Sequence, residues 1–370
     1  MSVPITPAVL DWAIAESGYS RSELAASANI DALSLERWIT GEEKPGLSDV
    51  RRIASKLHRQ VATFLLPLPP EAERTAVQFR HPLGARASRA LTPVERRFVR
   101  RARRLQEAQA WLIGELGWDR PALRQVSIGE SADTAATVFR ADLRVTVEDQ
   151  RGTRSASAAF DLWRSALESL GVFVLQFSMG EDTARGFSLW DDDAPIVAVN
   201  TAWPDEARIF TLFHEAGHLL SRTDSACARA ALAPHAGDGA ERWCEAFAAA
   251  VLIPRDALAA VSRVNDIQAL ASLARSMRVS LRAMALRLID VGKASWELYE
   301  SIPAVAERKP KGGGGSGRSR SEIRADEFGQ RTNSLFVSAV QRDIISQSQA
   351  LDYLDIPSAA FGRLAGNTLG

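Results

Sequence analysis

Residues 205–220 read Asp-Glu-Ala-Arg-Ile-Phe-Thr-Leu-Phe-His-Glu-Ala-Gly-His-Leu-Leu, which sets His214, Glu215 and His218 among apolar neighbours. Pro204 stands just before the first turn, where a missing N–H costs nothing. Apolar residues recur every three or four positions, so the stretch predicts a helix from Asp205 to Leu220. Residues four apart on a helix share a face, so His214 and His218 present two imidazoles side by side. That spacing suits one Zn²⁺ at about 2.0–2.1 Å from each nitrogen. Glu215 is placed to reach a water on such an ion without being a ligand itself. A plainer account is a pair of ordinary helix histidines. Phe210, Leu212, Phe213, Leu219 and Leu220 bury the helix, however, and buried imidazoles need partners.

A catalytic zinc takes three protein ligands and keeps one position open. The next strong helix, Glu241 to Leu252, is stopped by Pro254 and opens with Glu241-Arg-Trp-Cys-Glu245. Glu241 and Glu245 share a face, so one can bind the ion while the other holds an imidazole by its second nitrogen. His235, Cys244 and Asp238 are the rivals for the third position. Zinc lowers the pKa of a bound water towards about 7, and Glu215 can then take its proton as a general base during attack on a peptide carbonyl.

Before this region the pattern mixes strands and helices. Ala158 to Leu170 predicts an amphipathic helix stopped by Gly171. Val172 to Phe177 and Ile196 to Val199 predict short buried strands. Ile267 to Met277 and Leu281 to Ile289 predict further helices after it. The expected class is α+β, mostly helical. It comprises an N-terminal bundle of short helices, a catalytic domain with a small sheet beside the His-Glu-x-x-His helix, and a C-terminal helical tail.

The domain organisation predicted from composition shifts has five parts. Residues 1–70 form a helical unit that ends in a proline-rich run, and 71–125 form a basic helical connector. Residues 126–300 form the catalytic domain, 301–322 a Gly-rich flexible linker, and 323–370 a helical segment. Between Arg80 and Arg104 nine arginines face one acid, Glu95, which reads as a solvated helix face or a site for an anionic partner.

Lys+Arg and Asp+Glu are both 45, so no global field argues for nucleic acid or membrane. Two cysteines, Cys227 and Cys244, make neither a disulfide framework nor a CxxC zinc site, which fits a reducing cytoplasm. No signal peptide and no membrane span are expected.

Residues 195–254 resemble the ImmA/IrrE family of bacterial metallopeptidases. The resemblance is carried by Pro195-Ile-Val-Ala-Val-Asn200, by Ala207 to His218, and by Glu241 to Pro254. It implies a zincin-like domain with Zn²⁺ held by His214, His218 and Glu241, with Glu215 as base. The family usually carries Asn or Asp four residues after the ligand Glu, where this chain has Glu245. Gly186 and Phe187 match a segment near the active-site cleft. Residues 20–57 resemble the Cro/repressor-like (XRE-type) helix-turn-helix fused to long members of the family, with Ser22-Glu-Leu-Ala25, Leu35-Glu-Arg-Trp38, Gly41 and Pro45.

By that resemblance Asp31 to Trp38 would enter the major groove, with Ser34 and Arg37 as the candidate DNA contacts. Residues 1–70 carry seven Lys/Arg against eight Asp/Glu, without the basic excess that phosphate contacts need. Trp12 and Trp38 read as core residues. The sequence therefore predicts a cytoplasmic zinc endopeptidase whose partner is a protein substrate, for instance a repressor. The alternative is a DNA-binding regulator whose peptidase fold is a sensor or inactive. A third reading is an antitoxin-like or phage-related interaction protein.

Overall fold

The computed structural model describes residues 2–70, 78–80, 91–222, 237–303, 320–358, 361, 362 and 364. Among these, residues 2–70 and 91–101 form one compact unit, and 78–80 with those from 102 onward form a second.

The first unit contains α1 (Pro7–Ser17), α2 (Arg21–Ala28), α3 (Ala32–Thr40) and α4 (Leu47–Leu57). Local chemistry sets each boundary. Gly18 ends α1 in the left-handed region at φ +79°, where an L side chain is strained. Ser20 and Glu23 cap α2 reciprocally, and Asp31 caps α3 by accepting from the Ser34 N–H. Leu10, Leu24, Leu35, Trp38, Ile53 and Phe64 fill the core of the unit, with Trp12 packed against it. Helix α5 (Pro93–Leu116) contributes residues 93–101 to this unit and the remainder to the second. It lies inside the stretch predicted as a connector. Residues 81–90 of the basic run and 304–319 of the Gly-rich linker fall outside the described residues.

The second unit is α+β and mostly helical, with a small sheet. Its strands are β1 (Gln78–Arg80), β2 (Phe173–Phe177), β3 (Gly186–Leu189) and β4 (Ile196–Asn200), in the order β1-β3-β4-β2. Strands β2 and β4 are parallel, with Phe173 opposite Ile196. Strand β3 runs antiparallel to both β4 and β1, so both of its edges are paired. Strand β4 is buried along its whole length, as expected of a strand covered on both faces. Val174, Val197 and Val199 face a core shared with α6 (Ala132–Leu143), α8 (Ala156–Ser169), which α7 (Val147–Gly152) precedes, and α9 (Asp205–Ser221). After α9 come α10 (Gly237–Leu252), α11 (Ile267–Met277), α12 (Leu281–Asp290) and α13 (Trp296–Glu300). The chain ends with α14 (Arg320–Gln341) and α15 (Gln347–Leu354).

The C-terminal segment is docked against the sheet domain. Helix α14 packs on β2. Buried Arg164 on α8 donates to the Asp326 carbonyl at 2.7 Å and to the Val174 carbonyl at 2.6 Å. Its neighbour Glu168 accepts from the N–H groups of Gln330 and Arg331 at 3.1 and 3.2 Å. Gly329 kinks α14 at φ +77°, and a Cβ there would lie 2.0 Å from Glu168 Oε1, so only glycine fits. Burial holds the Glu168 carboxyl above its ordinary range, against the pull of Arg164. No helix among the described residues is long and apolar enough to cross a membrane.

Candidate metal centre

Helix α9 starts after Pro204 with Asp205 and Glu206 in its first turn, where negative charge suits the helix dipole. It closes at Arg222, which is left-handed at φ +53°. Its buried face holds His214, Glu215 and His218, each at most 2% exposed.

Helix α10 crosses α9 at Gly217. A Cβ on Gly217 would sit 3.1 Å from Cys244 Sγ and 3.3 Å from a Phe247 ring carbon, so the glycine permits this close approach. The approach brings Glu241 to both imidazoles. His214 Nε2 lies 3.2 Å from one carboxylate oxygen and His218 Nε2 lies 3.3 Å from the other. The two Nε2 atoms are 3.2 Å apart, with their rings edge to face. Among the described residues, these three form a group whose donor atoms all lie within 4.8 Å of one another, able to hold a metal ion.

The dimensions fit that role. A tetrahedral ion with bonds of about 2.0–2.1 Å has ligand-to-ligand edges of about 3.3–3.4 Å. The Nε2–Nε2 separation is close to that length, and each imidazole nitrogen lies within 3.3 Å of its own Glu241 carboxylate oxygen. A simple hydrogen-bonded histidine pair would account for one of these distances, but not for a carboxylate that reaches both imidazoles.

The electrostatics agree. Burial alone would raise the Glu241 carboxyl, but hydrogen bonds from His214 and His218 hold it well below the usual carboxylate range. Burial opposes charge on His218, yet hydrogen bonds to Cys244 and Glu241 hold its pKa well above the ordinary value. Burial raises the Cys244 thiol. The Glu241 carboxylate is thus held charged between the two imidazoles.

Glu215 points to the sheet side of α9. Its Oε2 accepts a 2.9 Å hydrogen bond from Ser188 Oγ on β3, and both residues are buried. Strand and helix touch because residue 186 is glycine. A Cβ there would lie 2.5 Å from Thr211 Cγ2 and 2.6 Å from the Ala198 carbonyl. At the end of β4, fully buried Asn200 donates to the carbonyls of Gly180 at 2.8 Å and Ala184 at 3.0 Å. It also accepts from the Met179 and Ala202 N–H groups, and so fixes the loop that leads into β3.

Helix α10 thus brings Glu241 to the imidazoles. Glu245, the other carboxylate considered as ligand or as support for an imidazole, is exposed and stands outside the group. Cys244 is buried beside His218. His235 and the side chain of Asp238 lie outside the described residues. In the first unit the Ser34 hydroxyl bonds Asp31, and Arg37 pairs with Glu43 at 2.9 Å. Sequence reasoning missed Ser188 and the structural part played by Asn200. The available signal for Ser188 was alternation, since residues 186 and 188 of a strand share a face.

A His-Glu-x-x-His helix with a carboxylate from the following helix, set against a small sheet, has the form of a metallopeptidase site. Residues 167–288 match the model of a peptidase family, the M78 family or IrrE N-terminal-like domain. The matched stretch contains Ser188, Asn200, His214, Glu215, His218 and Glu241. It leaves out α1 to α7, β1 and everything from α13 onward. A search of curated proteins found no match to the chain.

Proposed function

We propose that this protein is a zinc-dependent endopeptidase, with His214, His218 and Glu241 as ligands and Glu215 as general base. The observation that carries the proposal is the convergence of His214, His218 and Glu241: the two Nε2 atoms lie 3.2 Å apart and each is within 3.3 Å of a Glu241 carboxylate oxygen. Two imidazoles and one carboxylate suit zinc better than manganese. When bound, the ion supplies Lewis acidity, polarising a peptide carbonyl and acidifying a water molecule. Glu215, buried and oriented by Ser188, accepts the proton of the attacking water and returns it to the leaving amine. Gly186 and Gly217 let β3 and α10 close on the two sides of α9, which keeps these groups in register.

The substrate we propose is a cytoplasmic protein, a repressor or other regulator, because the catalytic region is joined to a unit of short helices. A second reading is favoured by the three-residue turn, Asn29 to Asp31, between α2 and α3. That spacing suits a helix-turn-helix, with α3 contacting DNA through Ser34 and Arg37. In this reading the catalytic domain senses a signal rather than cutting.

The test combines metal analysis with mass-spectrometric mapping of new termini in a peptide library made from a bacterial proteome. Wild-type protein should carry one zinc per chain and generate defined new termini. His214→Ala should lose the zinc, and Glu215→Ala should keep it without cleaving. Metal-free wild type, or cleavage retained by Glu215→Ala, would overturn the assignment. Salt-dependent binding to a DNA fragment that persists in Glu215→Ala, with no cleavage by wild type, would establish the second reading.

A further inference from the structure

A cleft of about 840 Å³ opens beside the metal centre and none of the site residues lines it. Phe210, four residues before His214 on α9, lines the cleft, and so does Glu245, four residues after Glu241 on α10. Residues four apart on a helix are about one turn from each other, so the cleft reaches α9 and α10 within about one turn of His214 and Glu241. Its volume lies in the range of ligand-binding sites, about 300–1,000 Å³.

The lining has two characters. Ala207, Phe210, Ala246 and Ala249 of α9 and α10, with Val279 and Leu281 at the start of α12, make an apolar floor. Around it stand Arg185, Arg242, Arg275, Arg278 and Arg282, against Glu206 and Glu245. The remaining charged pair of the lining, Arg287 and Asp290, is joined at 2.8 Å. The cleft therefore carries an excess of three positive charges in a chain with no net charge. Trp296 stands at the rim more than half exposed. An exposed tryptophan beside an apolar hollow is the kind of residue that binding buries.

We propose that this cleft is the subsite that selects the substrate, and that it takes a peptide segment combining apolar side chains with aspartates or glutamates. The inference rests on the endopeptidase reading and names its substrate class. The apolar side chains enter between α9, α10 and α12, and the carboxylates meet the arginine rim. Arg185, buried and stacked on Trp203, immediately precedes β3, so the positive lining begins where the strand carrying Ser188 begins. A nucleic acid would use the arginines equally well, but it would leave the alanine, phenylalanine and leucine floor without a partner.

The test uses the full-length Glu215→Ala chain, so that binding is read without hydrolysis. The probes are a fluorescein-labelled peptide with leucines between glutamates and the same peptide with lysines in place of the glutamates. Fluorescence anisotropy should show the acidic peptide binding at least about 10-fold more tightly, with affinity falling as salt rises. Arg242→Glu combined with Arg275→Glu should lower binding of the acidic peptide about 10-fold and raise binding of the lysine peptide. Both side chains are exposed, and an unchanged melting temperature verifies folding. Trp296→Ala should weaken the acidic peptide separately. Equal binding of both peptides, or indifference to the charge reversal, would overturn the proposal. So would a single-stranded oligonucleotide that displaces the acidic peptide at lower concentration than the unlabelled peptide itself. Cleavage of library peptides with no acidic preference near the cut would sink the subsite and leave the endopeptidase standing. Selective acidic-peptide binding without cleavage by the wild type would do the reverse.

Discussion

The hydroxyl of Ser188 on β3 donates a 2.9 Å hydrogen bond to the carboxylate of Glu215 on α9, between two residues that are at most 2% exposed. In the proposed mechanism the carboxylate that accepts and releases the proton is thereby aimed from the sheet rather than from its own helix. Hydrogen bonds to charged groups are worth about 1.5–3 kcal/mol. Ser188→Ala should lower kcat about 10- to 100-fold and leave KM and zinc content unchanged. Steady-state kinetics on a peptide found by terminus mapping, beside metal analysis, read this directly. An unchanged kcat would remove Ser188 from the catalytic arrangement.

The crossing of α9 and α10 at Gly217 sets two opposing effects against each other. Gly217→Ala gains about 1 kcal/mol of helix propensity. It also drives a Cβ to 3.1 Å from Cys244 Sγ and 3.3 Å from Phe247, both fully buried. Overpacking costs about 1–3 kcal/mol, so a net loss is expected. Zinc affinity should fall with it, because the displaced helix carries Glu241. Denaturant unfolding should show the loss, and adding Cys244→Ala should restore part of it through coupling of the two sites. If Gly217→Ala were stabilising, the close crossing would not be what this glycine serves.

Glu168 shows what holds the C-terminal helices in place. Its carboxylate takes two backbone N–H groups of α14 and lies 3.4 Å from the Arg164 guanidinium, inside the protein. Removing one partner of a buried pair costs about 3–5 kcal/mol, because the other charge stays buried. Glu168→Ala should therefore release α14 before the remainder of the domain unfolds. Hydrogen exchange should rise selectively across residues 328–341. Protection equal to wild type would show that apolar packing alone docks the helix.

Asp133 on α6 gives a pH dependence. It pairs with Arg255 at 2.9 Å and with Arg287, whose Nε also bonds the Ile253 carbonyl at 2.9 Å. Burial would raise the Asp133 carboxyl, but these hydrogen bonds hold it below its ordinary value. A depressed folded pKa contributes stability above the unfolded value, about 3.9, and that contribution is lost as pH falls through the folded pKa. Melting temperatures measured from about pH 6 to about pH 3 should fall less steeply for Asp133→Asn than for wild type, from a lower start. Parallel curves would exclude this carboxylate as a source of the acid sensitivity.

Much of the arrangement around His214 and His218 was legible in the sequence. Helix α9 and strands β2 and β4 are apolar runs whose periodicity reports burial, and two histidines four apart can point only one way on a helix. Spacing alone did not separate Glu241 from Glu245, because both satisfy it; only the family resemblance pointed to Glu241. It is the crossing at Gly217 that turns Glu241 to the imidazoles and leaves Glu245 exposed. Strand β3 was missed because Gly-Phe-Ser-Leu has little strand propensity of its own. Pairing on both edges makes it a strand, and that information lies in its neighbours. The docking of α14 was hidden for a similar reason. Arg164 and Glu168, four apart on α8, resemble a surface ion pair until the sheet and α14 enclose them.

Strand β3 has hydrogen-bonding neighbours on both sides, β4 on one and residues 78–80 on the other. A peptide seeking to lie along it as an added strand finds the row of amides taken by the chain's own backbone. It can join only by exchange with Gln78–Arg80. Its apparent affinity is then reduced by the fraction of time those three residues are away. A peptide in this position competes with an internal strand, so whatever loosens residues 78–80 raises the peptide's apparent affinity without touching His214, His218 or Glu241.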